Sequence, residues 1–391
     1  MKFEGTKYLS QTVASLPPSG IRKFFDVASQ MEGVISLGVG EPDFVTPWHI
    51  IESSYYSVSR GHTSYTSNLG LLELREAISD RVYQKCGLEY NPVDEVLVTT
   101  GVSEALDLAV RALVSPGDEV IIIEPCYVSY KACVHLAGGV PVVVDTYVEN
   151  AFRPDPADIE RRITDKTKAI VLSYPNNPTG AVVDRATLVK IAEIAKSHDL
   201  IVISDEIYDE LTYDGTHTCI ASLPGMRERT VLLNGFSKAY AMTGWRIGYV
   251  AGNRDIVGAM MRIHQYTMLC APVMGQKAAI EALTRGEAEM KRMVSEYNRR
   301  RRYIVKQLNS IGLTCFEPKG AFYAFPSIRS TGLSSEEFCN RLLMEEQVAV
   351  VPGSAFGAAG EGYVRCSYAA SLEEIEEAVN RMQRFVSRHA G

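Results

Sequence analysis

Between residues 96 and 251, short apolar runs alternate with stretches of helical period. The runs are VLVTT (96–100), EVIIIE (119–124), PVVVD (141–145), AIVLS (169–173), LIVISD (200–205), TVLLNG (230–235) and RIGYVA (246–251). Their near-continuous Val/Ile content predicts strands buried on both faces. Between them, SEALDLAVRAL puts Leu106, Ala109, Val110 and Leu113 on one helical face, and a later stretch aligns Leu188, Ile191, Ala192 and Ala195. Strands joined by helices predict an α/β fold with a mostly parallel sheet between helices. In such sheets the ligand lies in the loops beyond the carboxyl ends of the strands.

From about Gly286 the texture changes. A long charged helix is followed by GAFYAFPSI, a helix near 335–346, VAVVPG and GYVRCSY. A last helix opens at Ser371 with Glu374 three positions on, a capping box, and turns Ile375, Ala378, Val379 and Met382 inward. This predicts a smaller α+β domain, residues 286–391, completed by the N-terminal segment 1–46. The large domain would span 47–285. The run Arg299, Arg300, Arg301 and Arg302 reads as a solvated helical face.

Composition narrows the class. The chain has 391 residues, a formal charge of −7 and 22% charged residues, so nothing favours nucleic acid or an anionic membrane as partner. Its start lacks the apolar segment of a signal peptide, and no later stretch is long enough to span a bilayer. The eight cysteines and seven histidines are dispersed, without CxxC or HExxH spacing. That pattern predicts a cytoplasmic protein with no metal site.

Three polar clusters sit just past strand ends. GVSEAL (101–106) opens a helix whose free N–H groups, at Val102 and Ser103, suit a phosphate. YPNNPTG (174–180) and DEIY (205–208) follow two neighbouring runs. NGFSKAYAMTGWRIGY (234–249) places Lys238 among small and apolar residues and Arg246 eight positions later. Singly these read as a helix cap, a turn and another cap. Together they suit pyridoxal phosphate, which needs a lysine for a Schiff base, an acid for its ring nitrogen and donors for its phosphate. Apolar neighbours disfavour charge on Lys238, and Arg246 can clamp the phosphate beside the helix start.

At these residues the chain resembles the fold-type I, class I/II pyridoxal-phosphate aminotransferases. SKAYAMTGWRIGY, YPNNPTG, SDEIY, GEPDF, YTSNLGLLELREAI and YVRCSYA occur in the family's order and cover nearly the whole chain. SGIRKFFD and VVPGSAFGAAGEGYVRCSYA are most similar to the microbial aromatic-amino-acid enzymes.

The resemblance implies a role for each residue. Lys238 would carry the cofactor and move the α-proton, and Asp205 would keep the ring nitrogen protonated. Asn177 and Tyr208 would donate to the ring oxygen, and Tyr127 would stack on the ring. Arg246, Val102, Ser103 and Ser237 would hold the phosphate. Gly235 departs from part of the family, which has a phosphate-binding serine there. Arg365 would grip the substrate α-carboxylate, aided by the Gly40 backbone. Tyr65 would reach the phosphate of a neighbouring subunit, making the active unit a homodimer.

The implied reaction is ping-pong transfer of an amino group from an L-amino acid to 2-oxoglutarate. Ile21, Phe24, Tyr65, Tyr127 and a partner's Tyr266 form the expected pocket walls, so phenylalanine and tyrosine are the expected donors. Aspartate, alanine and N-acetyl-diaminopimelate are alternatives. A carbon–sulfur lyase and a non-catalytic effector-binding domain remain as rival readings on the same fold.

Overall fold

The computed structural model describes residues 5–16 and 31–389. Twelve strands are present among them: β1 (Ile35–Ser36), β2 (Val96–Thr99), β3 (Glu119–Glu124), β4 (Val140–Asp145), β5 (Thr167–Ser173), β6 (Ile201–Asp205), β7 (Thr230–Gly235), β8 (Gly248–Ala251), β9 (Tyr323–Ala324), β10 (Val348–Ala349), β11 (Val351–Pro352) and β12 (Val364–Ser367). Seven form one sheet in the order β2-β8-β7-β6-β5-β3-β4. All its pairings are parallel except those of β8, which runs against both β2 and β7.

The apolar runs become strands because both sheet faces are covered. On one side Ile121, Ile170 and Val202 pack with Leu188, Ile191 and Ala195 of helix Arg185–Ser197. On the other, Val120, Ile122 and Ile203 pack with Leu106, Ala109 and Val110 of helix Val102–Leu113. Each fully buried aliphatic side chain contributes roughly 1.5–3 kcal/mol, so two such layers fix the register.

The C-terminal part is built on two small sheets, β11-β12-β9 and β1-β10. In the second, Ile35 pairs with Val348 and Ser36 with Ala349, in parallel. The last helix runs Leu372–His389 and buries Ile375, Ala378, Val379 and Met382 as the pattern predicts. Ser371 and Glu374 bond each other's backbone N–H, completing the capping box.

Two expectations need correction. RIGYVA does not form a strand from its first residue: β8 begins at Gly248, and Arg246 stands before it at φ 54°. The arginine run is not a solvated face. Arg299 is exposed, but Arg300 and Arg301 in helix Glu287–Ser310 are 6% and 2% exposed. Their charge is met by carboxylates, Arg300 at Asp43 and Arg301 at Asp214, each at 2.8 Å. Both partners are distant in sequence, so the run alone carries no sign of them.

Candidate active site

Six strands of the large sheet point the same way, so their carboxyl ends share one edge. β8 runs opposite, so the residues entering it come to that edge too. Gly101–Ser103 follow β2, Tyr127 and Tyr130 follow β3, and Asn177 follows β5. Asp205 ends β6, Ser237 and Lys238 follow β7, and Arg246 precedes β8. Arg365 enters from β12. All of these residues except Gly101 line one cavity of about 550 Å³, with Gly40, Glu41, Tyr208 and Tyr323.

Asp205 lies at the base of the cavity and is buried. Its Oδ2 accepts the Tyr130 hydroxyl at 2.8 Å and its Oδ1 accepts the Ile207 N–H at 3.1 Å. Burial raises its pKa to about 6, while those two donors hold it down from a higher value. The adjacent Glu206 is buried too, and its charge is met by His217 and the Ser204 hydroxyl.

Lys238 Nζ donates to the Gly40 carbonyl at 2.6 Å. Its pKa is lowered to about 8, first by burial and then by the positive charge of Arg365. The ammonium lies 6.0 Å from the Tyr208 ring centroid and 5.7 Å from that of Phe322. This is the environment a nucleophilic amine needs.

Arg365 is 2% exposed. Its guanidinium is held between the rings of Tyr323 and Phe356, 4.5 and 4.8 Å from the centroids. Nη1 donates to Asn177 Oδ1 at 2.9 Å and Nη2 to the Gly38 carbonyl at 2.6 Å, while Nε is buried with no partner. Neither partner is an anion, so the cation is poised for a carboxylate. With its oxygen committed to Arg365, Asn177 is left with N–H groups to offer a ligand. Tyr208 and Tyr323 share a hydrogen bond of 2.7 Å between hydroxyls.

Arg246 takes the left-handed conformation at φ 54°, which costs a non-glycine residue about 1–2 kcal/mol. The turn presses its guanidinium onto Gly101, where any Cβ would collide with Nη2. Gly101 caps helix Val102–Leu113 without a side-chain bond, leaving the first amides available to an anion. Gly235 pairs with Gly248 across β7 and β8. A Cβ at Gly235 would lie 3.0 Å from Gly248 Cα, Ile247 O and Val102 Cγ2. A serine there would require these neighbours to give by a few tenths of an ångström.

The sequence reading missed Tyr130 and Tyr323. Tyr130 had a signal: it stands three positions after Tyr127 behind the same strand end. Tyr323 had none beyond its apolar neighbours. Two expected residues stand apart from the cavity: Tyr65 and Tyr266 are 82% and 87% exposed and do not line it. Ile21 and Phe24 lie outside the described residues.

A buried acid, a depressed lysine, an arginine at an uncapped helix start and a second arginine awaiting an anion fit pyridoxal phosphate with an amino acid. Residues 32–382 match the family described as aminotransferase class I and II. The chain belongs to that family. It is 57% identical to the Bacillus subtilis protein YugH over 383 residues, 98% of this chain and 99% of that one. It is 46% identical to aromatic-amino-acid aminotransferase 2 of Thermococcus litoralis, across 96% of this chain and 97% of that one. The aspartate aminotransferase of Thermus thermophilus with maleate superposes with a TM-score of 0.92 at 39% identity, covering 96% and 99% of the two chains. The protein is a pyridoxal-phosphate-dependent aminotransferase of fold type I.

Proposed function

We propose that this aminotransferase uses phenylalanine and tyrosine as its best amino donors and 2-oxoglutarate as acceptor. One observation carries the reading. Among the described residues, the cations lining the cavity are Lys238, Arg246 and Arg365, and each has another task. None is left as a fixed partner for a distal carboxylate, and Glu41 adds a negative charge to the lining, so the second carboxylate of 2-oxoglutarate would be met from outside these residues. The walls near Arg365 are instead aromatic, from Tyr127 and Tyr323. Burying a phenyl ring there contributes roughly 2–3 kcal/mol, one to two powers of ten over alanine.

In this reading Lys238 carries pyridoxal phosphate, which supplies an aldehyde for the amino group and a ring that withdraws electrons from the α-carbon. The other steps belong to the chain. Arg365 orients the amino acid by its carboxylate. Lys238 Nζ, with a pKa near 8 in the free site, takes the α-proton. Asp205 presents a carboxylate to the ring nitrogen, kept anionic by Tyr130 and the Ile207 amide. Asn177 and Tyr208 donate to the ring oxygen, and Tyr127 packs on the ring. Arg246, Ser237 and the amides of Val102 and Ser103 take the phosphate.

The active unit in this proposal is a homodimer. Tyr65, Tyr266, Trp48 and Val45 are 82%, 87%, 71% and 81% exposed, which leaves them available to a second copy of the chain. Tyr65 would then reach the partner's phosphate and Tyr266 the partner's substrate pocket. Residues 47–285 would form the large domain and 286–391 the small one; the parallel pairing of β1 with β10 supports adding 1–46 to the latter. Among the described residues no helix is long and apolar enough to cross a membrane, and we place the enzyme in the cytoplasm.

The test is kcat/KM for phenylalanine, tyrosine, aspartate, alanine, leucine and N-acetyl-diaminopimelate at saturating 2-oxoglutarate. The aromatic donors should lead by tenfold or more. If aspartate, alanine or the diaminopimelate compound leads both by that margin, the aromatic assignment fails and the aminotransferase stands.

A further inference from the structure

Residues 38–46 run along the cavity as a strap, and two of the site's cations, Arg365 and Lys238, are tied to its backbone. The Gly38 carbonyl accepts from Arg365 Nη2 at 2.6 Å, and the Gly40 carbonyl from Lys238 Nζ at 2.6 Å. Glu41 accepts from the Thr243 hydroxyl at 3.0 Å, and Thr46 bonds Trp245 Nε1 and the Ala241 carbonyl at 3.0 and 2.6 Å. Those last contacts hold the turn that delivers Arg246.

Between these points the strap has one charged anchor. Arg300 Nη1 reaches both oxygens of Asp43, at 2.9 and 2.8 Å, and its Nε donates to Glu296 at 3.0 Å. Its guanidinium also sits 5.2 Å from the Phe44 ring centroid and 5.8 Å from that of Tyr297. Phe44 and Tyr297 meet edge to face at 5.4 Å. Arg300 is 6% exposed, so the guanidinium side of the pair is shielded from solvent, while Asp43 meets it from the solvent side. It joins helix Glu287–Ser310 to the strap.

We infer that Arg300 and Asp43 are positioning residues for substrate binding. Their pairing fixes the strap at its middle, so the Gly38 and Gly40 carbonyls aim Arg365 and Lys238 into the cavity before an amino acid arrives. Neither residue lines the cavity, so they act through the backbone and not by contact. This role rests on the reading of Arg365 as the carboxylate clamp. It predicts a loss in binding carboxylates that exceeds the loss in turnover, with the cofactor still held by residues on the sheet edge.

The experiment uses the pyridoxal-phosphate-loaded protein and 3-phenylpropionate, a carboxylate that cannot react. Its Kd is measured by calorimetry for wild type, Asp43→Asn, Arg300→Ala, Arg300→Lys and Arg365→Lys, beside cofactor content, Tm and amide hydrogen exchange. Asp43→Asn is the safer variant, because its side chain is partly solvated and leaves no buried acid behind. The expected result is a Kd and donor KM raised about tenfold in Asp43→Asn and Arg300→Ala, with kcat within about threefold and cofactor content unchanged. Arg300→Lys should recover part of the loss, and faster exchange should be confined to residues 36–46. Binding within twofold of wild type in both variants, while Arg365→Lys weakens it, would overturn the positioning role alone. Unchanged binding in Arg365→Lys would remove the clamp itself, and the inference with it. Cofactor loss with exchange raised throughout the chain would reduce the pair to a structural one.

Discussion

Tyr130 donates its hydroxyl to Asp205 Oδ2 at 2.8 Å, and both groups are buried. A carboxylate in that place would otherwise take up a proton. Burial has already raised its pKa to about 6, and the Tyr130 bond opposes a further rise. Tyr130→Phe should therefore move the acid limb of the kcat/KM profile up by about one pH unit and lower kcat several-fold at pH 7. Sinking the idea takes an acid limb that stays where it was. The cofactor-free variant should keep its fold, since the ring's packing against Tyr127 is retained.

Asp205→Asn separates stability from catalysis. The folded pKa of Asp205, about 6, lies above its ordinary 3.8, so the folded state binds the proton more tightly than the unfolded chain. The sign follows: stability is present below about 4 and is lost as pH rises through about 6. The amide variant has no such loss, and the Tyr130 hydroxyl can accept from its new N–H. At pH 7.5 the cofactor-free variant should be more stable than wild type by on the order of 1–3 kcal/mol, while turnover falls at least a hundredfold. Thermal melts at pH 4 and 7.5 test this. A stability gap that does not change with pH refutes the charge argument.

Lys238 should take up pyridoxal phosphate at near-neutral pH. With its pKa held near 8, roughly a tenth of the amine is neutral at pH 7, against about one part in three thousand for an ordinary lysine. The rate of cofactor uptake by the free protein should rise with pH to a midpoint near 8. Because Arg365 contributes to that depression, Arg365→Gln should shift the midpoint upward. Borohydride reduction should then fix the cofactor on the peptide carrying Lys238. A label on another lysine overturns the assignment.

Gly235→Ser tests why this chain lacks the serine found in part of its family. Two of the three atoms a Cβ would press at 3.0 Å are backbone, so they cannot yield as a side-chain tip can. The variant should lose about 1–3 kcal/mol of stability and bind cofactor more weakly, as Val102 is pushed from the proposed phosphate site. Ser237→Ala should weaken cofactor binding with stability unchanged. Full stability with tighter cofactor binding in Gly235→Ser would return the phosphate role to that position.

Much of the molecule is legible in the chain itself. The positions of the large sheet's strands along the chain, the two-sided burial of the sheet and the inward face of the last helix follow from local periodicity, because burial selects side chains at fixed intervals. That Asp205, Lys238 and Arg246 come to one cavity was legible for a related reason: each stands within a few residues of a strand end, where the fold delivers ligands. What the sequence could not decide was which side chains meet. Tyr130 finds Asp205 across 75 positions, Arg365 finds Asn177 across 188 and Arg300 finds Asp43 across 257. Such pairings depend on the packing of whole elements, and no local pattern records them. For the same reason Arg300 looked like solvent-facing charge, although the folded chain surrounds it with carboxylates and aromatic rings.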